Sequence, residues 1–367
     1  MTPPSEATTR ETSVPPEPAG PLDQQCRPEE TLSAAIPRVR EYLDGILDGY
    51  RTTHPHLHAP LCELVAHGRP SPHESTLPLL VHAALSGDPE PAVPVAAAHV
   101  LWWRAANTFD DAADGDTGHR LYGMPSAVAL MAALECGYGM PLRALTAPPV
   151  PRSRRHRLLN DYLDGWTTAI DGQVGDLLHH PASVSLASVL DVYRHKSGAI
   201  YAMACALAAR LAEEPGPSGP GTTRTADWKR FGCVLGLLAQ LRNDEDDLRS
   251  ERHEDLRNTK ATFLLAHLLH SAPQDRRSQA LALLKTAGSS TTSRRELHAM
   301  MRESYVLAPY HAYVGSLRRE ALALLDSLAP RSPYRPALGA LVEAETGFLP
   351  QDHPDGASPP AQGPARR

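Results

Sequence analysis

The sequence predicts an all-α protein on three observations. Apolar residues recur at a spacing of about 3.6 along most of the chain. Ala and Leu dominate those segments, and period-2 alternation of Val, Ile and Thr is nearly absent. Residues 31–50 set the pattern, with Leu32, Ile36, Val39, Tyr42, Leu43 and Ile46 recurring at helical spacing. Segments 91–110, 124–138, 154–178, 189–212, 226–250, 260–271, 277–286 and 293–328 repeat it, so about ten or more helices are expected. Breaks fall near Pro70–Pro72, Ala147–Pro151 and Glu214–Thr225, where proline or glycine collects. No repeat of about 20–50 residues appears, which argues against a solenoid.

The chain has 367 residues, enough for one large helical domain, placed at 29–348. Residues 1–28 and 349–367 are rich in Pro and small polar residues. They are expected to be disordered tails, because they offer too little apolar surface to offset the entropy of ordering. Acids outnumber bases 42 to 36, which argues against a nucleic-acid-binding surface. Five cysteines (Cys26, Cys62, Cys136, Cys205 and Cys233) lack paired spacing and read as buried thiols of a reducing compartment, so a cytoplasmic location is expected. The first residues lack the apolar core of a secretory signal, and no stretch approaches the ~18 apolar residues of a membrane span.

Two acidic clusters carry the chemistry. Asp110, Asp111, Asp114 and Asp116 close the apolar segment ending at Phe109, with Asp110 and Asp114 one helical turn apart. Asn243, Asp244, Glu245, Asp246 and Asp247 close a second apolar helix that also holds Gln240. Carboxylates repel one another and sit badly at a helix C-terminus, where the dipole is already negative. Divalent cations between them resolve the conflict, and hard oxygen donors without His or Cys suit Mg²⁺. Two such walls in an apolar helical bundle would hold a diphosphate through shared cations.

These residues resemble the trans-isoprenyl diphosphate synthase (polyprenyl synthetase) family, within the class I isoprenoid synthase group. Asp110, Asp111 and Asp114 match its DDxxD motif, and Gln240, Asn243, Asp244 and Asp247 match Qxx(D/N)DxxD. Gly172, Gln173 and Asp176 resemble its GQxxDL helix, Lys196 stands at its KT lysine, and Lys260 falls in its diphosphate-contacting position. The resemblance runs from about residue 60 to 327. It implies the class I isoprenoid synthase helical bundle with a central prenyl pocket, an allylic prenyl diphosphate as substrate, and a homodimer. It also implies Mg²⁺, three ions with the substrate diphosphate, held by Asp110, Asp111, Asp114, Asn243, Asp244 and Asp247. The residues implied to be catalytic are Asp110, Asp111, Asp114, Lys196 and Asp244. Arg120, Gln173, Gln240 and Lys260 are implied to bind substrate beside Lys196.

One segment departs from the family. A basic GKRLRP stretch normally holds the diphosphate of isopentenyl diphosphate; here Glu74, Ser75 and Leu77 stand at its three cations, unless Arg69 substitutes. Each lost charge-assisted contact costs ~1.5–3 kcal/mol. The expected reaction is therefore Mg²⁺-dependent ionisation of a C15–C20 allylic diphosphate, ranked first as a terpene synthase. Prenyl transfer, to isopentenyl diphosphate or to another acceptor, is the alternative, and a non-catalytic partner subunit is a third reading. The family's chain-length positions are Ala105 and Ala106, both small, with Trp102 one turn deeper as a candidate floor. Phe109, with Trp103, Trp166 and Tyr201, offers π-faces to a carbocation. Two features are discounted: His54, His56 and His58 as a metal site, and Arg152, Arg154, Arg155 and Arg157, which read as a solvated face.

Overall fold

Sixteen helices and one short strand pair make up the described chain. The computed structural model describes residues 28–67, 72–113, 119–213 and 221–350, with the side chains of 72–75 and 221–223 outside that description. The tails expected at both ends, residues 1–27 and 351–367 in the main, therefore fall outside it.

Helix α1 (Pro28–Thr53) buries Ala35, Val39, Leu43, Leu47 and Tyr50, a stripe at the expected spacing. Two helices follow that the sequence pattern did not single out, α2 (Pro55–Ala66) and α3 (Pro72–Ser86). Both begin on a proline, which reads as a break in sequence but is pre-organised for a helix's first turn. Helix α4 (Val93–Ala113) is buried almost all round from Val93 to Ala105, as a central helix must be. Its C-terminal end carries the first acidic cluster.

A tight hairpin then pairs β1 (Arg120–Leu121) with β2 (Met124–Pro125). Its turn residues, Tyr122 and Gly123, both have positive φ, 52° and 76°, as a two-residue hairpin turn demands. Helices α5 (Ser126–Leu134) and α6 (Met140–Thr146) flank a π-helical turn, Glu135–Gly139. The long α7 (Arg152–Leu178) leads to α8 (Leu186–Tyr193), a second π-helical turn (Arg194–Gly198) and α9 (Ala199–Ala212). Helix α10 (Gly221–Arg249) carries the second acidic cluster. The chain closes with α11 (Glu254–Arg257), α12 (Phe263–Ser271), α13 (Gln274–Ala287), α14 (Thr291–Met301), α15 (Ser304–Leu328) and α16 (Arg335–Thr346). The segment expected as one helix over 293–328 is thus split near Arg302, and α16 adds a helix beyond the expected set.

Helices α4, α9 and α10 form the centre. Helix α9 is buried along nearly its whole length between α10, α7 and α3. The arginine run at the start of α7 corrects its expected solvated role. Arg154 is buried with its guanidinium 3.8 Å from Glu213, and Arg155 donates to the Val150 carbonyl, pinning the preceding loop. The three N-terminal histidines do not form a metal site. His54 bonds Thr53, His58 lies by Cys62, and no metal-holding group of His, Cys, Asp and Glu occurs among the described residues.

Candidate active site

Two close helix approaches build the site. A Cβ on Gly172 of α7 would lie 2.2 Å from the Lys196 backbone nitrogen, so only glycine lets α7 seat against the π-helical turn. That contact brings Gln173, Asp176 and Lys196 together. A Cβ on Gly236 of α10 would lie 2.6 Å from the Ser197 carbonyl oxygen. One and two turns beyond it, Gln240 and Asp244 consequently face the same turn. The π-helical geometry places Lys196 and Ser197 on the shared face, in keeping with the enrichment of such turns at functional sites.

The first wall is a network around Asp110. Its Oδ1 accepts from Gln173 Nε2 at 2.9 Å and from Lys196 Nζ at 3.2 Å, and Lys260 Nζ lies 4.0 Å away. Lys196 also donates to Asp176 at 2.7 Å. Burial alone would raise the Asp110 carboxyl, but Lys196, Lys260 and the Gln173 hydrogen bond outweigh it and hold it below the usual range. Lys196 mirrors this: burial would lower it, yet Asp110 and Asp176 hold its pKa above the ordinary lysine value.

The second wall is more deeply buried. Ser197 Oγ donates to Gln240 Oε1 at 2.6 Å, and Gln240 Nε2 donates to Asp244 Oδ1 at 3.0 Å. The Tyr193 hydroxyl donates to the other Asp244 oxygen and itself accepts from the Phe263 backbone N–H at 3.1 Å. Asp244 is 3 % exposed, and burial together with the charge of Asp255 pushes its carboxyl well above the usual range. Asp255 is pushed up to about 7, chiefly by burial and by Asp247. Buried carboxylates without a counter-cation are costly, so the donor set fits hard divalent cations.

Both walls line one cavity of about 380 Å³, within the range of ligand pockets. Six acids (Asp110, Asp176, Asp244, Asp246, Asp255 and Glu345) and three bases (Lys196, Lys260 and Arg242) line it among the described residues. Among the described residues, no three carboxylates converge on one point. That suits Mg²⁺, which takes one or two carboxylates and completes its shell from water and substrate phosphate. The apolar part is aromatic. Trp102, Trp103 and Trp166, three of the chain's four tryptophans, line it with Phe109 and Tyr201. The rings of Trp102 and Trp166 meet edge-on at 6.3 Å, and those of Trp103 and Tyr201 at 5.8 Å.

Not every expected site residue meets this cavity. Asp114 and Asp116 lie outside the described residues. Asp111 is exposed and accepts from the Tyr122 hydroxyl, which the hairpin holds there while His67 stacks on its ring at 3.8 Å. Arg120 bends onto the Gly123 carbonyl and is not among the cavity's lining residues. Asp247 is likewise turned away: its oxygens accept from the backbone N–H groups of Glu254 at 2.9 Å and Asp255 at 3.3 Å, capping α11. Ala106 lines the cavity, whereas Ala105 does not and packs against Gly137. Asn243 does line it. Tyr193 and Asp255 went unread in the sequence. Only the spacing of Asp255, five residues before Lys260, offered a signal.

No curated relative matches the sequence. Solved structures of the same fold include a geranylgeranyl pyrophosphate synthetase from Pyrococcus horikoshii, 18% identical with a TM-score of 0.73, covering 87% of this chain and 98% of that one. A decaprenyl diphosphate synthase from Rhodobacter capsulatus is 16% identical with a TM-score of 0.72, covering 87% and 99%. A polyprenyl synthetase from Streptomyces coelicolor is 19% identical with a TM-score of 0.68, covering 86% and 99%. At these identities the likeness establishes the fold. The polyprenyl synthetase family model matches residues 114–302, more than half of the chain. With the helical fold and the family match together, this chain is a member of the polyprenyl synthetase family, a family of prenyl-transferring enzymes.

Proposed function

We propose that the chain is a Mg²⁺-dependent prenyltransferase that ionises a C15–C20 allylic diphosphate in the central cavity. The observation that carries this reading is the meeting of Asp110, Lys196 and Lys260 with Gln240, Asn243 and Asp244 across one cavity that continues into an aromatic pocket. Family membership ranks prenyl transfer ahead of the terpene synthase reading that the missing cations favoured in sequence. Cyclisation remains the second reading because three tryptophans line the chain pocket, and their faces stabilise positive charge. A non-catalytic partner subunit fits poorly with both lysines aimed at one carboxylate.

The residues divide the work. Lys196 and Lys260 meet the departing diphosphate, stabilising charge that develops on the oxygens as the C1–O bond breaks. Asp110 and Asp176 hold Lys196, Gln173 holds Asp110, and Gln240 and Tyr193 hold Asp244. Magnesium, when bound, supplies the cationic charge that turns the diphosphate into a leaving group. The aromatic walls exclude water from the carbocation.

A homodimer is part of the proposal. Met131, Leu134 and Tyr138 near α5, and Val174, Leu177 and Leu178 on α7, are exposed apolar residues, and Tyr138 contacts Trp166 in the cavity wall. Such a patch marks an association surface.

The test incubates purified protein with Mg²⁺ and C10, C15 and C20 allylic diphosphates, measuring released diphosphate and extracting the products. Mg²⁺-dependent release that peaks at C15 or C20 is expected. No release from any of the three would refute the reading.

A further inference from the structure

One helix reaches the cavity through a residue that its packing does not call for. The buried face of α16 runs Leu338, Val342, Glu345, so Glu345 continues an apolar stripe. It is 4 % exposed and lines the cavity. A buried carboxylate is costlier there than the aliphatic side chain the stripe would supply. It pairs with the Arg242 guanidinium at 3.6 Å. That guanidinium also donates to the Ala344 carbonyl at 3.3 Å and lies 3.5 Å from Asp246. Asn107 and Asn243 line the cavity as well.

The position of this group matters. Tyr334, preceding α16, donates to the carbonyl of Gly87, which follows α3, so the start of α16 is tied to the end of α3, and the two helices touch. Glu345 lies at the other end of α16; in sequence, Glu74, Ser75 and Leu77 at the start of α3 stand where the family has three cations. Leu77 is fully buried in the core.

We propose that the α16 side of the cavity is an acceptor subsite for an uncharged or cationic acceptor bearing an N–H or O–H group, and that it rejects a diphosphate-bearing one. The inference rests on the prenyl-transfer reading above. Among the described residues the cation on this side is Arg242, already engaged by two carboxylates, so Arg242, Asp246 and Glu345 together leave one negative charge in excess. An incoming diphosphate meets charge of its own sign, with Glu345 the buried member of the group. A donor group instead meets carboxylate and amide oxygens. In the transfer, the C1–O bond breaks and its electron pair leaves with diphosphate. The acceptor's lone pair closes the new bond to C1. The proton it sheds passes to the Glu345 carboxylate and then to water.

Three acceptors of one carbon skeleton test this: isopentenyl diphosphate, 3-methyl-3-buten-1-ol and 3-methyl-3-buten-1-amine. Each is incubated with full-length protein, Mg²⁺ and farnesyl diphosphate; products are identified by mass spectrometry and diphosphate release is followed in the same tubes. Farnesylated amine or alcohol is expected at least tenfold faster than the isopentenyl diphosphate product. Glu345→Gln should cut the amine-to-diphosphate rate ratio at least tenfold, with folding checked by circular dichroism. Should that variant not fold, Arg242→Gln, which removes the engaged cation, should raise the ratio instead. Preference for isopentenyl diphosphate, or a ratio unmoved by either variant, overturns the subsite. Diphosphate release with no acceptor-bearing product also overturns it while sparing the ionisation reading. Absence of release in every tube removes both.

Discussion

The Tyr193 hydroxyl donates to Asp244 while accepting the backbone N–H of Phe263, so one phenol ties α8, α10 and the start of α12 to a single buried carboxylate. That hydrogen bond works to lower the Asp244 pKa against the raising effects of burial and Asp255. Replacing Tyr193 with Phe leaves Asp244 less well satisfied and the Phe263 N–H without this acceptor. We expect a loss of about 1–3 kcal/mol in urea unfolding. We also expect a higher Mg²⁺ requirement for diphosphate release, because a carboxyl that holds its proton more tightly binds metal less well. Unchanged metal dependence in Tyr193→Phe would separate Asp244 from the cation site.

Asp255 gives a pH prediction with a definite sign. Its folded pKa, about 7, lies above that of an unfolded aspartate. The folded state therefore holds more protons between those values, and the group's contribution to stability falls as pH rises through that window. Metal-free protein should lose on the order of 4 kcal/mol between pH 4 and 8 relative to the Asp255→Asn variant. Thermal melts of both proteins in a chelator test this; parallel pH profiles would count against it.

Ala105 and Ala106 are neighbours with opposite fates. Ala106→Phe fills the cavity, so C20 diphosphate turnover should drop at least tenfold more than C10 turnover, with the fold retained. Ala105→Phe instead drives a ring toward Gly137 and should destabilise the protein by about 1–3 kcal/mol or more without a selective chain-length effect. Comparing kcat/KM for the two chain lengths in each variant checks both outcomes.

A Cβ at Gly236 would strike the Ser197 carbonyl and, at 2.8 Å, the Tyr201 ring. Gly236→Ala should push α10 off the π-helical turn and loosen the Ser197–Gln240–Asp244 chain. We expect a loss of about 1–3 kcal/mol in stability, with kcat falling further than the melting temperature alone explains. Wild-type kcat in this variant would show that the close approach is not needed for chemistry.

The exposed apolar residues of α5 and α7 give a solution prediction. Met131→Lys combined with Val174→Lys should shift a dimer to a monomer in light scattering. A wild-type protein that is already monomeric at micromolar concentration would refute the association surface.

Much of this site was legible because it violates helix electrostatics. Asp110 and Asp244 stand where carboxylates repel one another and the dipole, a conflict visible in one dimension. The fold class followed as directly from periodicity, although the buried stripe of α1 runs through Ala35, Val39, Leu43, Leu47 and Tyr50 and leaves Ile36 exposed. A proline misled: the break read near Pro70–Pro72 includes Pro72, which opens α3. Asp247 misled for a different reason. Its i,i+3 relation to Asp244 is real, but its oxygens are taken by backbone donors of a four-residue helix that no side-chain pattern announces. Tyr193 reaches Asp244 across 51 residues of sequence, and only the packing of α8 against the second wall reveals it.

The surplus of carboxylates over ammonium and guanidinium groups in the cavity bears on the order of events in a turnover. A bare prenyl diphosphate approaches a site of its own sign and is repelled, whereas its magnesium salt arrives already neutralised. On this view the kinetically competent substrate is the salt rather than the free anion. The enzyme would then read the metal status of its surroundings at the moment of encounter, and free diphosphate, once stripped of metal, would leave without rebinding.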